Sequence, residues 1–231
     1  MHNKGMVTVI SLGGSIVAPA SVDVQFLTGF SALIRDFINT DDASRFILVV
    51  GGGGPARAWQ SAYKEAAGAF RSEEADWIGI MATRLNAQLV KAVMAEWCRQ
   101  DVVTDPTAAV MNGKVLVAAG WKPGFSSDND AVLLAERFGA KTVINLSNIE
   151  KVYTADPKTD PGATPLDSIS WAGFRAMVGD EWTPGKNVPF DPIASRRAET
   201  IGLRVICAAG RDLDNLRNII RGQAFVGTII G

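Results

Sequence analysis

Five consecutive apolar residues, Phe46-Ile47-Leu48-Val49-Val50, run directly into Gly51-Gly52-Gly53-Gly54, and a helical sequence follows Pro55. A run that is apolar at every position, with no alternation, marks a strand buried on both faces, as at the centre of a parallel sheet. Parallel strands need crossovers, and these are usually helices. The chain supplies them. Short β-branched runs at Val7–Leu12, Val115–Ala118, 142–146, 205–208 and Thr228–Ile230 read as strands. Amphipathic stretches at 25–38, 56–67, 128–138, 191–201 and Leu213–Arg221 read as helices. A long helix is expected over 73–97, where Trp77, Met81, Leu85, Leu89, Val93 and Trp97 fall four apart and share one face. The order implies βαβ units, and so an α/β fold: a three-layer sandwich around a central, mostly parallel sheet. Residues 153–165 and 179–189 are rich in Pro, Gly and charge and read as loops.

The chain has 231 residues, within reach of one large domain over 1–231 that buries roughly 70% of its unfolded surface. The net charge of −1 excludes nucleic acid as a bulk electrostatic partner. The apolar run after His2-Asn3-Lys4 is too short for a membrane span or a signal-peptide core, so a soluble, cytoplasmic protein is expected. Cys98 and Cys207 sit in apolar or helical surroundings and are expected to be reduced core residues. The only histidine is His2. This excludes a Ser-His-Asp triad, a Cys-His pair and a histidine metal site. Chemistry must run on carboxylates, Lys and Arg, hydroxyls, backbone amides and a borrowed metal ion.

The glycine run at 51–54 is the strongest local signal. Removing Cβ atoms lets a ligand approach the amides, and the helix that follows offers its positive end to an anion. Arg57 stands in the first turn, where a guanidinium can fork onto phosphate. The run is neither a Walker A loop nor a dinucleotide fingerprint, because the required spacings are absent. A second turn, Gly13-Gly14-Ser15, follows the first strand. If the two strands are parallel, both turns face the carboxyl edge of the sheet, where open α/β sheets bind ligands. A third element, Gly120-Trp121-Lys122-Pro123-Gly124-Phe125-Ser126-Ser127-Asp128, joins a strand to a helix, and Ser126 or Ser127 is equally suited to capping that helix. Asp76 can serve as an ordinary first-turn acid, Tyr153 as a packed aromatic, and Asp191 before Pro192 as a cap.

In order, these elements are Gly13-Gly14-Ser15, Gly51 to Arg57, Asp76 to Ala87 with Gly79-Ile80 and Thr83-Arg84-Leu85-Asn86-Ala87, Pro123-Gly124 to Asp128, Val152-Tyr153-Thr154-Ala155-Asp156-Pro157-Lys158, and Asp191-Pro192-Ile193-Ala194. Over nearly the whole chain this order resembles the amino-acid-kinase superfamily. Within it, the chain is most similar to the uridylate (UMP) kinase family in its archaeal-type form. The resemblance implies the carbamate-kinase-like fold and Mg²⁺-dependent transfer of the ATP γ-phosphoryl group to UMP. It places Gly13, Gly14 and Ser15 at the ATP phosphates, with Ser147, Asn148, Tyr153 and Asp156 on the adenosine side. It assigns the nucleoside monophosphate to Gly52, Gly53, Arg57, Asp76, Gly79, Ser126 and Ser127. It implies a homo-oligomer, usually a hexamer, and no metal bound by the protein alone.

The chain departs from that family at several positions. Ser11 stands where many members carry a lysine, and Asn148-Ile149-Glu150-Lys151 replaces the common Asn-Val-Asp-Gly. Arg196 stands in place of a later lysine. Lys151 and Arg196 are therefore the candidates for supplying the missing catalytic charge. Two alternatives stay open. One is a kinase for another small acceptor, although the lack of an internal histidine counts against isopentenyl phosphate. The other is a nucleotide- or oxyanion-binding relative that has the fold without turnover.

Overall fold

The computed structural model describes residues 7–179, 181 and 188–231. Most of the loop expected over 179–189, and His2, lie outside the described residues. The elements run β1 (Val7–Leu12), α1 (Gly14–Val17), α2 (Val24–Thr40), β2 (Arg45–Val50), α3 (Gly53–Ala66), α4 (Ser72–Val93), β3 (Val115–Ala118), α5 (Ser127–Phe138) and β4 (Thr142–Ser147). They continue with β5 (Val152–Tyr153), β6 (Pro165–Leu166), β7 (Ser168–Ile169), α6 (Trp171–Val178), α7 (Pro192–Thr200), β8 (Arg204–Ala209), α8 (Leu213–Arg221) and β9 (Thr228–Ile230).

The main sheet has the order β3-β2-β1-β4-β8-β9-β7. It is parallel from β3 to β8, and β9 runs antiparallel to β8. Successive strand residues point to opposite faces. Ile10, Leu48, Val117 and Ile144 therefore pack with α2, α4 and α8 on one side, and Val9, Ile47, Leu116 and Val143 with α5, α6 and α7 on the other. This is the expected three-layer sandwich. The chain moves outward from β1 through β2 to β3, then returns to the other side of β1 as β4. That reversal opens a crevice at the carboxyl ends of β1 and β4, the usual ligand position in such sheets.

Two expectations need correction, and two further elements appear. The long helix ends at Val93, not at 97, because the chain turns at Met94 and the Trp97 carbonyl instead accepts from the amides of Lys114 and Val115 at the start of β3. Residues 153–165 do not form a plain loop, because their ends pair as the antiparallel β5–β6 hairpin. Residues 168–169 form β7 and 171–178 form α6, which Ser170 caps by accepting from the Gly173 amide. The stripe on α4 does share a face, but that face is turned outward: Trp77, Met81, Leu85 and Val93 are exposed. The helix buries Ala75, Ile80, Ala82, Asn86, Ala87 and Val90 instead.

Candidate active site

Leu12 of β1 and Val50 of β2 are register partners, so Gly13 and Gly51 leave the sheet side by side. The Gly51 amide donates to the Leu12 carbonyl (2.9 Å) and the Gly13 amide to the Leu146 carbonyl (2.9 Å), stitching together three strand ends. The two turns then meet backbone to backbone. A Cβ on Gly14 would fall on Gly53 N and lie 2.6 Å from Gly53 Cα. Gly53 has φ +66°, which favours glycine. Packing between the turns thus accounts for glycines that the sequence suggested were there to admit a ligand.

The same packing aims the amides. Asn86 Nδ2 donates to the carbonyls of Gly51 (2.9 Å) and Gly52 (3.0 Å). In a planar trans peptide the N–H points opposite the C=O, so the amides of Gly52 and Gly53 are turned away from Asn86. They open α3, whose first turn has no side-chain cap among the described residues. This arrangement suits an anion. Arg57 is exposed, and its guanidinium donates to the Pro19 carbonyl (3.3 Å), bracing the connection between α1 and α2.

Beside these turns lies a cleft of about 180 Å³. Gly52, Asp76, Gly79, Ser126 and Ser127 line it; Gly53 and Arg57 do not. Ala56, Gln60, Thr83, Gly120 and Phe125 also form its walls, and none of them was singled out from sequence as a site residue. The missing Cβ of Gly79 leaves room for Gln60, whose Nε2 would lie 2.7 Å from it and donates to the Ala75 carbonyl (2.8 Å). Asp76 Oδ2 accepts from the Gly124 amide (3.1 Å), tying α4 to the 121–125 loop. Ser126 is the cap of α5: its Oγ accepts from the Asn129 amide (3.2 Å). Asp191 caps α7, accepting from the Ala194 amide (2.7 Å).

Three carboxyls crowd the start of α5. Asp128 Oδ1 accepts from the Ser11 hydroxyl (3.4 Å), and its Oδ2 from the Asp191 amide (3.1 Å). Some of the Asp128 surface is open, but the protein around its carboxyl removes water. That desolvation, with the charge of Asp191, pushes its pKa up to about 7. Burial also raises Asp191, against hydrogen bonds from the Ala194 amide and the Ser126 hydroxyl. Asp130 is fully buried, and burial raises it to about 7 against a hydrogen bond from the Trp121 amide. No feature of the sequence marked these residues as a group, because three turns of chain bring them together.

On the other side of β1, Ser147 ends β4. Its hydroxyl accepts from the Ile149 amide (3.3 Å) and its carbonyl from the Gly210 amide (2.8 Å), so β8 joins this edge. Ser15 is half-buried beside Gly14, and Asn148 is exposed. Tyr153 is half-buried in β5, and Asp156 is exposed in the hairpin turn, where it accepts from the Lys158 amide (2.9 Å). Lys151 pairs with Asp167 at 2.5 Å, and that hydrogen bond holds its ammonium above its usual pKa. Arg196 is exposed on α7.

Residues 6–208 match the family model described as the amino acid kinase family. The uridylate kinase of Methanospirillum hungatei is 35% identical over 228 residues, covering 96% of this chain and 93% of that protein. The uridylate kinase of Pyrococcus abyssi is 32% identical over 93% of this chain and 95% of its own length. The crystal structure of uridylate kinase from Archaeoglobus fulgidus superposes with a TM-score of 0.80 at 32% identity, covering 98% of this chain and all of that one. The UMP kinase of Bacillus anthracis, 20% identical, shares the fold with a TM-score of 0.76.

Proposed function

The chain belongs to the amino acid kinase family, and from that premise we propose that it transfers the ATP γ-phosphoryl group to UMP, giving UDP. The observation that carries this reading is the junction of the two glycine turns with the cleft. The ends of β1 and β4 offer one phosphate position, and the amides that open α3 offer another. Because the turns touch, two phosphates bound on them are held side by side, which is what phosphoryl transfer chiefly requires. The attacking atom is an oxygen of the acceptor phosphate. Its second pKa is about 6, so it is ionised at neutral pH and needs no general base. A chain with no internal histidine meets that demand.

In this reading Gly13, Gly14 and Ser15 hold the ATP phosphates, and Ser147, Asn148, Tyr153 and Asp156 border the adenosine. Gly52, Gly53 and Arg57 hold the acceptor phosphate, Asp76 the ribose, and Gly79, Ser126 and Ser127 the remaining walls. Arg57 reaches the phosphate by releasing the Pro19 carbonyl. Among the described residues no group of three or more acidic, His or Cys side chains is arranged as a metal cage. Mg²⁺ fits without one, since it keeps several waters and binds through substrate phosphates and one or two carboxylates. Asp128, hydrogen-bonded to Ser11 near the end of β1, would face the ion on giving up its proton. The ion supplies neutralisation of phosphate charge. Lys151 and Arg196 supply further charge, and the solvent-screened pairing of Lys151 with Asp167 is readily left.

The protein acts in the cytoplasm as a homo-oligomer. The support is the outward stripe of α4 together with α3, which has no fully buried residue and exposes Trp59. Incubation with ATP, Mg²⁺ and UMP, CMP, dUMP, isopentenyl phosphate or acetylglutamate tests the activity. Selective UDP formation is expected, and its absence would overturn the reading. Ser11, in place of a lysine, favours a second reading: a binding or storage relative that holds ATP or an oxyanion and makes no product.

A further inference from the structure

Gly120 lines the cleft, and the segment Gly120–Trp121 that carries it is held from two elements at once. The Gly120 amide donates to Thr83 Oγ1 (2.8 Å), and that hydroxyl donates onward to the Ile80 carbonyl (2.7 Å). Arg84 Nε donates to the Gly120 carbonyl (3.3 Å) and its Nη2 to the Trp121 carbonyl (2.9 Å). From α5, Asp130 Oδ2 accepts from the Trp121 amide (3.2 Å). Both donors and both acceptors of two successive residues are therefore taken by side chains of α4 and α5. None of the three side chains is spent on the fold's ladders.

Asp130 makes this arrangement unusual. It is fully buried, and its second oxygen, Oδ1, has no hydrogen-bond partner among the described residues. An unsatisfied buried carboxyl oxygen is costly, and a hydrophobic side chain at this core position would avoid it. The carboxyl is kept where its other oxygen can grip the wall and where the Arg84 guanidinium is close enough to act on it electrostatically. Arg84 is equally specific. Two neighbouring carbonyls need a planar fork, which arginine has and lysine lacks.

We propose that Arg84 and Asp130 are positioning residues for the acceptor: they fix the Gly120–Trp121 segment so that Gly120, Phe125, Ser126 and Ser127 present one preformed wall to the nucleoside. This rests on the acceptor reading of the cleft given above. Neither side chain touches the reacting atoms. Both act through backbone they hold, on the acceptor side and not at the ATP phosphates.

Steady-state kinetics of Arg84→Ala, Arg84→Lys, Asp130→Ala and Asp130→Asn, together with amide hydrogen exchange at Gly120 and Trp121, test this. Losing these hydrogen bonds to the wall is expected to raise the UMP KM by about tenfold in Arg84→Ala and Asp130→Ala while the ATP KM stays within about twofold. Asparagine keeps an acceptor for the Trp121 amide, so Asp130→Asn recovers most of the loss. Lysine cannot fork, so Arg84→Lys does not. Both amides exchange faster in the alanine variants. An unchanged UMP KM, or equal rises in the two KM values, overturns the proposal. If the wild-type protein makes no UDP, the acceptor reading falls instead, and the clamp is decided by exchange alone: unchanged protection of Gly120 and Trp121 refutes it.

Discussion

Gly14→Ala is the sharpest test of the contact between the two glycine turns. The new methyl would fall on Gly53 N, 2.6 Å from Gly53 Cα and 2.7 Å from the Gly52 carbonyl carbon. All three are backbone atoms, so no rotamer change relieves the clash. Bringing the 2.6 Å approach to Gly53 Cα out to ordinary contact at about 3.4 Å separates the turns by about 0.8 Å, and the closer Gly53 N requires more. Overpacking of this kind costs about 1–3 kcal/mol, or about 2–12 °C in Tm for a chain of this size. A domain stable by about 5–15 kcal/mol remains folded at 25 °C. Catalysis suffers more, because the separation is between the two phosphate positions, and a misplacement near 1 Å costs about 10²-fold in rate. The expected outcome is a folded variant, shown by circular dichroism and a modest Tm loss, with kcat for UDP formation down about a hundredfold. Gly68→Ala is the control: Gly68 lies in the exposed connection between α3 and α4 with nothing within 4 Å of its would-be Cβ, and its activity and Tm stay at wild-type values. A Gly14→Ala enzyme with wild-type kcat would refute the claim that contact between the turns sets the distance between the phosphates.

Asp130 predicts how stability varies with pH. Its carboxyl is held up to about 7 in the fold against 3.8 ordinarily, so the folded state keeps a proton that the unfolded chain releases. Its contribution is fully present below about pH 4 and is lost as pH rises through about 7, a change of order 4 kcal/mol in all. Urea titrations at pH 5 and pH 8 should show wild type losing more stability than Asp130→Asn over that interval; parallel losses would refute the assignment. Asp191→Ala should cost about 1 kcal/mol through loss of the α7 cap. It should also lower the pKa of Asp128 by removing a neighbouring carboxyl, which an NMR titration reads; an unmoved Asp128 would refute the coupling. Leu85, 69% exposed on α4, should lie in a subunit contact. Light scattering should give wild type a mass several times 24.6 kDa and Leu85→Glu a smaller one, whereas a wild-type monomer would refute the oligomer.

The buried strands of the sheet were legible because they leave a clear apolar trace, whereas the two-residue edge strand β7 left none. Val7–Leu12, Val115–Ala118 and Thr228–Ile230 are expected and observed with the same bounds, since β-branched runs between turn residues have few other uses. The helix starts were legible where a cap residue stands, as at Ser126 and Asp191. Failure came where tertiary contacts decide. Periodicity put Trp77, Met81 and Leu85 on one face but could not say which way it points, because an apolar stripe looks the same against a core or against another subunit. The Trp97 end of α4 was misplaced because its carbonyl is taken by amides from a distant strand. For the site, the glycine turns and Asp76 were visible as local motifs. Asn86, Thr83, Arg84, Asp128 and Asp191 were visible only as parts of family-like motifs; what each holds is set by contacts across dozens of residues, which no local pattern announces.

The serine at position 11 and the protonated state of Asp128 belong together. A lysine beside an ionised aspartate and a serine beside a protonated one carry the same net charge. At this site the second arrangement is the one the surroundings enforce: Ser11 is buried and neutral, its hydroxyl donates to Asp128, and desolvation with the neighbouring Asp191 holds the Asp128 proton to about pH 7. An ionised Asp128 without a cation would repel the phosphates expected at the end of β1, and the proton removes that repulsion. The exchange has a physical consequence. A lysine stays charged across the physiological range, whereas this carboxyl titrates within it. Affinity for metal-free phosphate at the β1 turn should therefore weaken as pH rises past about 7. The positive potential at the site must then come from the amides that open α3, from Arg57 and from the ion carried by ATP, and this places the two glycine turns, not any single side chain, at the centre of the electrostatics.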